Sequence, residues 1–303
     1  MGVAGTCIRT LCLAVVVAAS SSFAAPAFGY SRTGCAGWQL GTIASGLEQL
    51  ENLEPDGQGG FYLSGGTKVY HVDGSGQVRT VLENLAAPGG LQLDGTALYV
   101  LTRQDGKLWR LDTTTGQLSP IADFPGHGLL RLPDGDFLTT WVGTEGGPSR
   151  GVSRYDTESG VVVANWAPVP RGEGLALSPD HRVVYTDDLF TGQVYRIPLD
   201  APERWTVVTT VPGLLAGPDD VTTTSDGHLY LAAHLAGAIH RIDPESGATC
   251  AITTALPSGW TGPSSVRVGP DGEDSALYIT SFDGTLRRLR PPPDVDLTPV
   301  QGF

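Results

Sequence analysis

Six stretches of the chain each set one chemically distinctive residue just ahead of an apolar run and a turn. They are "ENLEPDGQGGFYLS", "GGLQLDGTALYVLT", "HGLLRLPDGDFLTT", "EGLALSPDHRVVYT", "DDVTTTSDGHLYLA" and "SSVRVGPDGEDSALYIT". Their first residues are Glu51, Gly89, His127, Glu173, Asp219 and Ser264, at intervals of 38, 38, 46, 46 and 45 residues. Three carboxylates and an imidazole at equivalent places in a repeat are costly to bury, since each charged group gives up its hydration. Brought together, they repel unless some take up protons or a cation neutralises them. A divalent metal is the economical solution, with Glu51, His127, Glu173 and Asp219 as its candidate ligands. Oxygen ligands favour calcium, magnesium or manganese, and the nitrogen of His127 also admits zinc or iron.

The elements that must position these residues are legible in the same repeats. Intervals of this length match blades of four strands, and the expected architecture is an all-β, six-bladed β-propeller. Within a repeat the apolar strand is followed by a turn, often with Asp-Gly, and a second strand such as "ALYVLT". Third strands such as "KVYHVD", "KLWRLD", "GQVYRIPLD" and "AIHRID" alternate in polarity, and a polar-rich fourth strand follows. The innermost strand of each blade lines the central channel, so residues at equivalent strand starts converge on one face. The sixth repeat lacks an outer strand, because "GTLRRLR" runs into "PPPDVDLTPVQGF", which cannot form a regular one. Residues 37–46, "GWQLGTIASG", are expected to supply that strand and close the ring. Residues 143–151, "GTEGGPSRG", read as a long loop between the second and third strands of blade three.

Composition agrees with a turn-dense β protein: 303 residues hold 41 glycines, 22 prolines and one methionine. Residues 1–27 carry a single charge, Arg9, an apolar run and "APA", the pattern of a secretory signal cleaved after Ala27. The expected mature protein is secreted, with residues 28–303 forming one propeller domain. The signal's apolar run falls short of the roughly 20 residues a membrane helix needs, and no later segment resembles a span. Formal charge is −13, or −14 once Arg9 is removed, with no basic run. That charge disfavours nucleic acid and anionic membranes as partners, and a monomer is expected. Cleavage leaves Cys35 and Cys250, which in an oxidising compartment pair more often than they stay free. Cys250 lies in the expected outer strand of blade five and Cys35 beside the closing strand, so their disulfide would staple the seam.

The repeats resemble the gluconolactonase, senescence marker protein and luciferin-regenerating enzyme family, six-bladed propellers with a divalent cation in the channel. Glu51 in "LENL" matches the family's first-blade metal glutamate, and Pro218 with Asp219 in "GPDDV" matches its fifth-blade pair. Where the family has asparagine at the third and fourth blades, this chain has His127 in "GHGLL" and Glu173 in "GEGLA". Those departures add a nitrogen donor and a negative charge at the metal. The resemblance implies hydrolysis of a lactone or ester-like small molecule, with calcium as first choice of cation and zinc, magnesium or manganese as alternatives. In that mechanism Asp219 is both ligand and general base. Asp220 is expected behind Asp219, and His234, Asp187 and Asp188, at second-strand ends, are expected at the channel rim. His71, His181, His228 and His240 fall in third strands or turns, outside the site. Residues 147–151, "GPSRG", have the Gly-x-Ser-x-Gly spacing but lack the following helix of a nucleophile elbow, and no phosphate loop or His-Glu-x-x-His helix occurs. The competing reading is a non-catalytic propeller that presents one face to a ligand or protein and keeps a structural channel ion.

Overall fold

The computed structural model describes residues 35–300. The secretory signal expected over residues 1–27 lies outside the described residues.

The period-two patterns become six four-stranded antiparallel sheets, each running from an inner to an outer strand. Five blades are built from consecutive strands. The sixth is composite, in the order Pro263–Asp271, Asp274–Ser281, Thr285–Arg290 and finally Gln39–Ala44. The N-terminal strand therefore closes the ring, with Gln39 opposite Arg290 and Ala44 opposite Leu286. The proline-rich C-terminal segment cannot compete for that edge. It crosses instead to blade five, where Thr298 O accepts from Ser225 N–H and Pro299 bridges Thr224.

Burial grades outward within each blade, as the sequence polarity does. The second strand Phe61–Gly65 is wholly buried, whereas the outer strand Val78–Leu82 is exposed along most of its length. The core is correspondingly divided into six clusters, each filling the seam between two neighbouring blades. Burying both faces of every second strand explains why "FYLSG", "VVYTD" and "LYLAA" are almost continuously apolar or small. At the ring closure Cys35 and Cys250 form a disulfide, their Cα atoms 6.1 Å apart. It ties the segment before the closing strand to the outer strand of blade five.

Hydroxyls fasten adjacent blades near the channel. Ser64 Oγ donates to Gly89 O, Thr140 Oγ1 to Glu173 O and Ser264 Oγ to Leu50 O, each reaching from one blade to the next. Among the described residues no helix is long and apolar enough to cross a membrane.

Candidate active site

The inner strands do not begin as regular ladders. In blades one, five and six the pairing with the second strand skips one residue, and the skipped residues are Glu51, Asp219 and Ser264. In blade two it skips Gly89 and Gly90. A bulge leaves its extra residue unpaired and re-aims its side chain. Blades three and four reach the same end differently. His127 and Glu173 stand two residues before short inner strands, their N–H groups donating to Thr140 O and Asp187 O. The glycine that follows each is required by close approach rather than by a turn. A Cβ on Gly174 would lie 2.6 Å from Asp220 Cα, and one on Gly128 would collide with Glu173 O.

Glu51, His127, Glu173 and Asp219 come together at the channel mouth through a chain of pairwise contacts. His127 Nε2 lies 3.1 Å from Glu51 Oε1, and His127 Nδ1 lies 3.6 Å from Glu173 Oε1. Glu173 and Asp219 face each other within side-chain hydrogen-bonding reach. Asp219 Oδ2 in turn lies 3.7 Å from His234 Nδ1. The side chain that the repeats did not reveal is Arg103, which follows the second strand of blade two. Its Nη2 pairs with Glu51 Oε2 at 2.9 Å and its Nη1 lies 2.9 Å from His127 Nε2. Gly89 makes this possible, since a Cβ there would press on Arg103 Cδ. The blank position in the repeat is therefore space for an arginine from the neighbouring strand. An arginine directly after "ALYVLT", opposite two glycines, was the available signal.

Electrostatics divide the carboxylates into two groups. Burial opposes ionisation of Glu51, but the Arg103 guanidinium, then His127 and His234, outweigh it and hold the carboxyl below its usual range. Glu173 is pushed well up, first by burial and then by Asp219, Asp187 and Glu51. Asp219 is pushed well up by burial and next by the Glu51 charge. These groups border a cavity of about 10 Å3, the room of one water-sized sphere. Three oxygens of residues lining it, Glu173 Oε2, Asn52 Oδ1 and Asp220 Oδ1, have no hydrogen-bond partner. Among the described residues no three His, Cys, Asp or Glu side chains already stand as a metal's ligand shell. The donor types, chiefly carboxylate and amide oxygen, nonetheless suit a hard divalent cation.

The remaining candidates separate. Asp220 lines the same cavity with its Oδ1 unpartnered, while its Oδ2 accepts from Ser265, Arg267 and, at 3.2 Å, Val266 N–H. Asp187 accepts from Gly174 N–H, and its second oxygen is unpartnered. Its carboxyl is raised by burial and then by the Asp220 charge. Asp188 organises its own turn, accepting from Phe190 and Thr191 N–H and from Tyr195 Oη, with Arg171 beside it. Burial holds the His234 imidazole below its ordinary range, and its ring contacts those of Phe282 and Trp260. Ser264 spends its hydroxyl on Leu50 O. His71 and His228 pair with Asp56 and Asp226 away from the mouth. His240 is buried without a partner, which lowers its pKa to about 4.

A ring of six four-stranded blades with carboxylates at the bulged starts of its inner strands defines a propeller whose polar chemistry gathers at one mouth. The chain belongs to the SMP-30/gluconolactonase/LRE-like family, whose sequence model matches residues 131–283. No curated protein sequence gives a significant match. Among solved structures, a gluconolactonase from Xanthomonas campestris aligns with a TM-score of 0.70 at 18% identity, over 86% of this chain and 92% of that one. A calcium-binding protein from Agrobacterium tumefaciens, regucalcin, aligns at 0.67 and 19%, over 86% and 96%. A luciferin-regenerating enzyme aligns at 0.70 and 16%, over 88% and 99%. At these identities the likeness to solved structures is one of fold.

Proposed function

We propose that the channel mouth is the active site of a secreted, metal-dependent hydrolase that opens a lactone or related ester of a small molecule. The observation that carries this reading is the set of buried carboxyls, Glu51, Glu173, Asp219 and Asp220, around a cavity with room for one water-sized sphere, with Glu173 Oε2, Asn52 Oδ1 and Asp220 Oδ1 unpartnered. Glu51, His127, Glu173 and Asp219 would hold one divalent cation, calcium being favoured by the oxygen donors. Bound there, the cation supplies Lewis-acid polarisation of the substrate carbonyl. Family membership supports a lactonase-type reaction, and the regucalcin likeness accords with a calcium site.

The side chains divide the remaining work. Asp219, whose carboxyl borders the cavity, would take a proton from the attacking water. The water oxygen bonds to the carbonyl carbon, the carbon–oxygen bond of the ring breaks, and the proton passes to the departing alkoxide. Arg103, about one-third exposed, fixes Glu51 and His127 and presents a positive edge to the mouth, where negative charge develops on the carbonyl oxygen. His234 Nδ1 stands 3.7 Å from Asp219 Oδ2 and covers it on that side.

One observation favours the non-catalytic alternative. Arg103 already neutralises Glu51, so part of the cluster is balanced without any ion. Turnover separates the two readings. Against a panel of γ- and δ-lactones and aryl esters the wild type should hydrolyse at least one substrate, and Asp219→Asn should cut kcat by about 100-fold or more. A correctly folded wild type inactive on the whole panel, with calcium present, would leave the binding propeller.

A further inference from the structure

The mouth that holds Asp219 is bordered on the side of blades five and six by large apolar side chains standing in water. Leu214 is 99% exposed, Leu215 65% and Trp260 83%. All three sit in connections that lead straight into inner strands. Leu214 and Leu215 precede Pro218–Thr223, which carries Asp219, and Trp260 precedes Pro263–Asp271. They are therefore on the face where the channel residues begin.

The turn after His234 binds these two connections into one rim. His234 N–H donates to Gly217 O and Ala236 N–H to Ala216 O, while Gly259 N–H donates to Leu235 O. A Cβ on Gly217 would strike the Leu235 side chain, so the turn lies directly against the leucine-bearing loop. From this rim a continuous contact path leads to the chemistry. The Trp260 ring is 6.2 Å from that of His234, which meets Phe282 edge-on at 4.9 Å and stands 3.7 Å from Asp219 Oδ2.

Hydrocarbon held in water is a free-energy cost that burial against another apolar surface recovers. Exposed apolar side chains on one rim, with Trp260 linked through His234 to a reactive group, fit the apolar part of a molecule whose polar part sits in the channel. We propose that Leu214, Leu215 and Trp260 form an apolar subsite, and that the substrate is a lactone or ester bearing an alkyl or aryl arm rather than a polyhydroxylated sugar lactone. The proposal rests on the hydrolytic reading of the mouth and specifies its substrate class. The carbonyl lies over Asp219, and the arm runs past His234 and Phe282 to Trp260.

The test compares γ-butyrolactone, γ-decalactone and glucono-δ-lactone as substrates, and titrates the non-hydrolysable 2-hexylcyclopentanone calorimetrically. Wild type, Trp260→Ala, a Leu214→Ser/Leu215→Ser variant and the control Val161→Ser are measured; Val161 is an exposed residue remote from the channel connections. The wild type should prefer γ-decalactone over both other lactones by about tenfold or more in kcat/KM. Each rim variant should lose most of that preference through KM, and should bind the cyclopentanone about tenfold more weakly, while Val161→Ser changes neither. Cyclopentanone binding that depends on Trp260, without turnover of any lactone, would keep the subsite and remove the hydrolytic reading. Turnover with no preference for the alkyl arm, or with a preference the rim variants leave intact, would overturn the subsite and spare the hydrolase. An absence of both turnover and binding would overturn both. Rim variants that alter only self-association or partition onto phospholipid vesicles would assign the patch to another occupant and also overturn the proposal.

Discussion

Arg103 and Glu51 show how one side chain fixes the state of another. Glu51 is buried and stays ionised because a guanidinium lies 2.9 Å away. Removing that partner leaves an uncompensated buried charge, so Arg103→Met should destabilise the fold by about 3 kcal/mol, measured by urea unfolding. Adding Glu51→Gln should restore most of the loss, because the orphaned charge goes with it. Equal instability of the single and double variants would show that Arg103 acts through packing alone. This residue also marks the limit of the sequence reading. The repeat pattern names the residue at each strand start, but it is silent about a side chain that enters from the next strand through the space left by Gly89. Asp188 teaches the converse. Its place beside Asp187 in "VVYTDDL" suggested the rim, yet local hydrogen-bond geometry spends it on the turn that follows.

At the scale of the inner strands, the site depends on how closely neighbouring blades approach. Gly174→Ala would bring a methyl group against the Asp220 and Val221 backbone of the next blade. It should cost about 1–3 kcal/mol in unfolding free energy and displace the adjoining Glu173. A neutral result would mean that the blades can separate locally. Further along the channel Glu54 carries its own pH signature. Burial first, with help from the Asp220 charge, raises its carboxyl from 4.5 to about 7, against Arg267 and the Leu93 N–H. A raised carboxyl leaves the folded state at full stability below pH 4.5, and stability falls as the pH climbs towards 7. Glu54→Gln should therefore melt higher than wild type at pH 8 and show no advantage at pH 4. The opposite order would mean that Glu54 is stabilised as a carboxylate. Strand order and blade number were legible because alternating polarity and 38–46-residue spacing are local properties of the chain. The bulges that turn Glu51 and Asp219 into the channel were not, since a skipped pairing depends on the partner strand.

For the whole molecule, closure is the feature on which the rest depends. The N-terminal strand, completing a blade whose other strands end the chain, was expected because proline-rich sequence cannot finish the sixth sheet. The Cys35–Cys250 bridge encloses 215 residues of chain separation. On the loop-entropy account it is worth roughly 5 kcal/mol, so Cys35→Ser with Cys250→Ser should lower the melting temperature markedly while leaving the channel mouth intact. Loss of activity in the still-folded double variant at low temperature would show that closure also shapes the site. The cation is the central claim, and its most direct test is elemental analysis of the protein purified without added metal and then equilibrated with calcium, for wild type and Glu173→Gln. One ion per chain in the wild type, reduced to a small fraction in Glu173→Gln while the fold is retained, is the predicted result. A wild type that retains no divalent ion, or a variant that binds as much as the wild type, would contradict it.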